Sequence, residues 1–147
     1  MSRKRVDKKL HKSIIFVSLG TVITTKELGT LAETIAGQYL EQHGYKILER
    51  NYRKPWGEID IIASRNDVVA FVEVKASAKD FGSEFNPEVR VDHKKLRKIT
   101  RAASLYLEYQ YKNMNTEWRV DIISVTFSKP EQKATLTHFK NVAEAQN

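Results

Sequence analysis

Between Glu27 and His43 the apolar residues Leu28, Leu31, Ala32, Ile35, Ala36, Tyr39 and Leu40 return at spacings of three and four. That periodicity predicts a helix with one buried stripe, and Gly44 directly after it supplies a C-terminal stop. Tyr45 to Arg53 reads as a strand, which Pro55 and Gly57 separate from the next element. Glu58–Arg65 and Val68–Ser77 are two β-rich runs joined by Asn66-Asp67, a polar two-residue link that signals a hairpin. Lys79 to Glu88, with Gly82, Asn86 and Pro87, reads as an irregular loop. A second helix is expected from about Val91 to Tyr109, its buried side formed by Leu96, Ile99, Ala103, Tyr106 and Leu107. Two further strands, Trp118–Phe127 and Ala134–Phe139, are separated around Pro130. The order αβββαββ predicts a single α/β domain over residues 27–147, with one mixed sheet flanked by helices around an αβββαβ core.

Composition agrees with a folded domain, since 41% of the 147 residues are apolar and 29% are charged. The absence of cysteine excludes disulfide staples, thiolate zinc sites and cysteine nucleophiles. The formal net charge of +7 favours a polyanionic partner. It is unevenly spread: residues 1–27 hold seven cations against Asp7 and Glu27, a net +5, which leaves +2 for the rest. The basic stretch through Lys12 is followed by an apolar run from Ile14 to Ile23, about the length of a signal-peptide core. Asp7 interrupts the basic part, no A-x-A-like cleavage site follows Thr24, and the run falls well short of the ~20 residues that span a bilayer. Residues 1–26 are therefore expected to be a flexible basic extension of a cytoplasmic protein, with export the lesser alternative. No membrane association is expected.

The candidate chemistry lies on the hairpin. Along a strand Glu58 and Asp60 share one face, and Ile59, Ile61 and Ala63 the other. With Asn66-Asp67 as the turn, opposed residues have numbers summing to 133, so Asp60 faces Glu73 and Glu58 faces Lys75, unless a bulge shifts the register. Two carboxylates directly opposed on one face repel, and a divalent ion offsets that repulsion. Oxygen-only ligands suit Mg²⁺ or Mn²⁺. Lys75 beside them is suited to stabilising charge developing on a phosphate. The competing reading is a solvated strand face on which these charges simply stay wet, and spacing alone leaves both open.

Leu28-Gly29-Thr30-Leu31-Ala32-Glu33-Thr34-Ile35-Ala36, Tyr39-Leu40, Gly44-Tyr45, Ile47-Leu48, Arg50-Asn51-Tyr52-Arg53, Gly57-Glu58-Ile59-Asp60-Ile61-Ile62-Ala63 and Phe71-Val72-Glu73-Val74-Lys75 closely resemble the YraN family. The likeness continues through Lys95, Ala102-Ala103, Tyr106-Leu107 and Arg119-Val120-Asp121, covering roughly residues 28–140 and leaving the basic arm outside. It implies a restriction-endonuclease-like PD-(D/E)XK fold, akin to archaeal Holliday-junction resolvases. By that resemblance Asp60 is the strand carboxylate that ligates metal, Glu73 and Lys75 are the E-x-K half of the signature, and Glu33 is the helical glutamate that completes many such sites. The expected metal ligands are thus Asp60, Glu73 and Glu33. Ala32 departs from the pattern, which has glycine before the helical glutamate; alanine there favours helix if anything.

In the second helix Lys94, Arg97, Lys98 and Arg101 fall opposite Leu96, Ile99 and Ala103, a basic stripe able to track a phosphate backbone or simply to face solvent. Lys95 sits at the edge of the apolar side, and the resemblance favours it as a neighbour of the site. Arg90 adds to the same cationic stretch. Asp121, in an apolar strand, needs a partner. Trp56 is suited to base stacking or, more ordinarily, to packing. The histidines His11, His43, His93 and His138 show no metal-ligand spacing, and there is no glycine-rich phosphate loop or G-x-S-x-G motif. The expected function is DNA binding, branched and single-stranded DNA included, with Mg²⁺- or Mn²⁺-dependent endonucleolytic hydrolysis. The alternative is a non-catalytic nucleic-acid-binding protein on the same scaffold. No small-molecule cofactor is expected, and a homodimer is left open.

Overall fold

The first helix begins where Thr24 and Glu27 satisfy each other's backbones. In the computed structural model Thr24 Oγ1 accepts from the Glu27 N–H at 3.2 Å and the Glu27 carboxylate accepts from the Thr24 N–H at 2.7 Å. This capping box opens α1 (Thr25–Gln42), and Gly44, at φ +84°, follows its end. The structure describes residues 10–20, 24–79, 92–111 and 115–143. The other elements are β1 (Leu10–Phe16), β2 (Lys46–Lys54), β3 (Gly57–Arg65), β4 (Val68–Lys79), α2 (His93–Gln110), β5 (Glu117–Ser128) and β6 (Lys133–Phe139).

The strands form one six-stranded sheet in the order β1-β6-β5-β4-β3-β2. All neighbours are antiparallel except β4 and β5, which run parallel from Val68↔Glu117 to Lys79↔Ser128. Parallel neighbours need a long crossover, and α2 lies within it. Asn66 and Asp67 have φ of +50° and +62°, as a type I′ hairpin turn requires. Opposed residues of β3 and β4 have numbers summing to 133 from Arg65↔Val68 to Ile61↔Val72, the register expected from that turn.

The sheet is a single α/β domain's central layer, with a hydrophobic core on each face. On one face Ile61, Ala63, Ala70, Val72, Ile123 and Val125 meet Ala32, Ile35, Ala36 and Leu40 of α1. On the other, Ile62, Phe71, Val120 and Ile122 meet Leu96, Ile99, Ala103 and Tyr106 of α2. Both helices therefore bury the stripes their periodicity predicts.

The elements differ from expectation in three places. Residues 10–16, expected within a flexible extension, form β1 at the sheet edge, paired with β6 from Leu10↔Phe139 to Phe16↔Lys133. Ile15 and Val17 pack on the core while Ile14 and Phe16 stay exposed, so part of what reads as a continuous apolar run is an alternating strand. Strand β4 runs on to Lys79, and α2 starts at His93 behind Asp92, whose carboxylate accepts the Lys94 and Lys95 N–H groups at 3.0 and 3.3 Å. Residues 1–9, the rest of the expected 79–88 loop, Arg90 and the predicted helix start at Val91 lie outside the described residues. Among the described residues no helix is long and apolar enough to cross a membrane.

Candidate functional site

The site is made by a fault in the alternation of β2 and β3. A regular strand places residues two apart on one face, yet Ile61 belongs to the α1-side core and Ile59 to the α2-side core. Their partners on β2 switch together: Arg50, paired with Ile61, reaches Glu41 of α1 at 3.2 Å, whereas Tyr52, paired with Ile59, lies in the α2-side core. Between them Asn51 adopts φ +50° across from Asp60. The expectation that Ile59, Ile61 and Ala63 share one face is corrected by this switch.

The same fault ends the β3–β4 ladder at Ile61↔Val72. Hydrogen-bonded pairs alternate along an antiparallel ladder, so a continued register would give the Val74 N–H to the Ile59 carbonyl. The Asp60 carboxylate takes that place, accepting the Val74 N–H through Oδ2 at 2.8 Å. The regular opposition expected of Asp60 with Glu73 and of Glu58 with Lys75 is therefore not part of the ladder. Asp60 and Glu73 nevertheless feel each other: burial chiefly, then Glu73 and Glu58, push the Asp60 carboxyl above its usual range against the Val74 N–H and Lys95.

Glu73 is only 5% exposed, and its Oε1 meets the Lys95 ammonium from the first turn of α2. That hydrogen bond, with further attraction from Asp60 and Asp92, holds the Lys95 ammonium above its usual range despite partial desolvation. From the opposite side of the sheet Glu33 of α1 acts on the same group; burial first, then Asp60, raises its carboxyl, and Arg53 opposes this. Lys75 lies two residues beyond Glu73 on β4, and its charge, after the Lys95 N–H, helps to lower the Asp92 carboxyl. The opening between β3 and β4 thus couples Glu33, Asp60, Glu73 and Lys95 across both faces, with Lys75 and the capped start of α2 beside them.

An oxygen-ligated cation suits part of this set. Asp60 Oδ2 is committed to Val74 and Glu73 Oε1 to Lys95, which leaves Asp60 Oδ1 and Glu73 Oε2 outside those contacts. Among the described residues, however, no group of three or more His, Cys, Asp or Glu side chains is gathered as a metal cage. Glu33 is electrostatically coupled to the carboxylate pair without closing such a cage.

Along α2, Lys94, Arg97, Lys98 and Arg101 are exposed, opposite buried Leu96, Ile99 and Ala103. Asp121, fully buried, finds its partners: Arg119 Nε donates at 3.0 Å, the Asn141 N–H at 2.9 Å and His138 Nε2 at 2.8 Å. Burial holds the His138 imidazole below its usual range against the pull of Asp121, so its free Nδ1 accepts from Tyr39 OH at 3.1 Å. This network sits inside the α1-side core, and Asp121 is a structural residue there. Asp92 escaped the sequence reading, although an Asp directly before an apolar-periodic run is a helix-start signal.

The sequence matches the model described as "Uncharacterised protein family UPF0102" over residues 32–125. It is 42% identical over 113 residues to a UPF0102 protein of Fervidobacterium nodosum, covering 76% of this chain and 78% of that one. A UPF0102 protein of Geobacter metallireducens is 41% identical over 119 residues, 81% of this chain and 93% of the relative. One of Thermotoga neapolitana is 44% identical over 95 residues, 65% and 83% of the two chains. The matched span contains Glu33, Asp60, Glu73, Lys75 and all of α2, and begins after β1.

Proposed function

The chain belongs to the UPF0102 family, and from its β3–β4 opening we propose that it is a metal-dependent nuclease of the restriction-endonuclease-like kind, acting on DNA. The observation that carries this reading is the Asp60 carboxylate, which replaces a ladder acceptor at Val74 and is raised by burial and by Glu73. Desolvated carboxylates held close together repel, and acids perturbed by burial and a neighbouring charge cluster at functional sites. The order of a β2–β3–β4 meander, a crossover through α2 and a parallel β5 supports the fold reading.

Asp60 and Glu73 would hold Mg²⁺ or Mn²⁺ through the oxygens left over from Val74 and Lys95, with Glu33 lending charge from α1. Such an ion supplies Lewis acidity toward a phosphodiester and lowers the pKa of bound water. The protein's own part is electrostatic. Lys75, two residues beyond Glu73 and near enough to Asp92 to lower its carboxyl, would supply positive charge to a scissile phosphate, and Lys95 neutralises Glu73 until a cation competes for it. The exposed cations of α2 hold the flanking phosphates.

A second reading has one observation in its favour: the Lys95 ammonium already serves Glu73, as a resident cation would. On that reading the scaffold binds nucleic acid without cutting it. Branched, single-stranded and duplex DNA incubated with Mg²⁺ or Mn²⁺ separates the two, with Asp60→Ala and Lys75→Ala variants run alongside. Cleavage reduced by roughly 100-fold or more in each variant supports the nuclease, the scale on which charge-stabilising groups act. Binding of all three substrates with no cleavage under either metal establishes the second reading instead.

A further inference from the structure

At the far end of α2 from Lys95 lies a cavity of about 220 Å³ lined by Tyr52, Lys54, Trp56, Tyr106, Tyr109 and Gln110. Four of its six walls are aromatic. The Trp56 and Tyr109 rings are nearly parallel, 18° between planes with centroids 6.2 Å apart, and Tyr52 and Tyr106 meet edge to face at 5.5 Å. Tyr109 is 70% exposed, so its ring is open to a molecule arriving from solvent. Lys54 adds a cation 5.8 Å from the Tyr52 ring. Trp56 Nε1 is closed off from solvent and has no acceptor among the described residues, an unmet hydrogen bond in one of the pocket's walls.

The turn that carries Trp56 is held in place. Gly57, at φ +153°, comes so close to α2 that a Cβ there would stand 3.0 Å from Ala102 Cβ and 3.4 Å from the Lys98 carbonyl. The β2–β3 turn and the helix are therefore seated directly on each other, which holds the backbone that carries Trp56 against α2. The cavity is smaller than the roughly 300–1,000 Å³ of drug-sized or cofactor sites, so it suits one flat ring system.

We propose that this pocket takes an unstacked nucleobase of a single-stranded DNA segment whose phosphates run along α2. The assignment rests on the nucleic-acid-binding part of the function proposed above. Tyr106 follows Lys95 by eleven residues, about 16 Å along a helix axis, so the base held here lies several nucleotides from the phosphate at Asp60 and Glu73. Lys98 and Arg101 are exposed on the helix between the two. The pocket grips the strand away from the chemistry and reads that it is unpaired, because a base inside a duplex presents no free face.

Trp118→Phe leaves Trp56 as the sole indole, since the chain has two tryptophans. Its fluorescence is followed in EDTA during titration with a dT oligomer, the same oligomer carrying abasic sites, and dTMP. Saturable quenching by the dT oligomer is expected, with weaker binding of the abasic strand. Adding Tyr109→Ala, at an exposed position, is expected to weaken dT binding roughly five- to a hundredfold, the range of stacking on one ring. Equal binding of dT and abasic strands overturns the pocket while leaving the nuclease reading intact, because EDTA removes cleavage from the readout. Quenching by dTMP as tight as by the oligomer transfers the pocket to free nucleotides and overturns the strand assignment. No binding of any strand in EDTA overturns this inference, while the nuclease reading stands or falls by the cleavage assay with Mg²⁺ or Mn²⁺, the ions that would offset the charge of Asp60 and Glu73.

Discussion

Asp60 combines a hydrogen bond that the fold uses with a charge that the fold resists. Its carboxyl titrates above the ordinary range, chiefly through burial. The folded state thus keeps its proton to higher pH than the unfolded chain, and stability is lost as pH rises through that window. Asp60→Asn keeps an acceptor for the Val74 N–H and deletes the charge. Its melting temperature at pH 7 is expected to rise by a few degrees, about 2–4 °C for each kcal/mol gained, while any cleavage is lost. The advantage over the wild type should shrink as pH falls through the raised range in which the native carboxyl takes up its proton, and be gone below about 4, where the unfolded chain's carboxyl is protonated too; a constant offset across pH would show that charge is not its origin. The acidic pair was legible in the sequence, because strand alternation puts Asp60 and Glu73 near each other for any hairpin turning at Asn66-Asp67. The face switch was not. It depends on one left-handed residue, Asn51, whose conformation no hydrophobic pattern announces. Nor was the Glu73–Lys95 pair fixed by spacing, since it depends on where α2 crosses the sheet.

At the scale of elements, the two helices and the strands β2 to β6 were readable because each repeats its buried positions often enough to declare a period. The strand β1 was not, since His11 and Ser13 occupy inward-facing positions where apolar residues would have marked the alternation. His11 instead faces α1, its ring 5.6 Å from Tyr39 and 4.9 Å from His43. The strand also carries Val17 and Leu19 onto the hairpin end, where the Val17 N–H reaches the Gln132 carbonyl at 3.0 Å and the Leu19 N–H reaches Gln132 Oε1 at 2.7 Å. Deleting residues 1–16 should therefore lower the thermal midpoint by several degrees and leave the β6 edge open to pairing with other chains. A truncated protein that melts with the full-length chain and stays monodisperse would return this segment to the status of a mere extension.

For the whole molecule, the net charge says less than its placement. Residues 90–101 hold six cations against Asp92, and those described along α2 face outward beside an acidic opening in the sheet. Neutralising Lys94, Lys98 and Arg101 to Gln should flatten the dependence of log K on log salt by about 2 for single-stranded DNA, measured from 50 to 200 mM salt; an unaltered slope would place the phosphates elsewhere. The sheet's layout has a further consequence during synthesis. Its middle is the twelve-pair parallel ladder between β4 and β5, whose second strand ends at Ser128. While the chain grows from Lys79 to Ser128, the edge of β4 that carries Phe71 and Val72 has no β5 to pair with, although α1 is already made. At about 5–20 residues per second that wait lasts roughly 2–10 s, long compared with hairpin closure in microseconds. Slower translation over the second half of the message lengthens the time for which that edge is open to pairing with other chains.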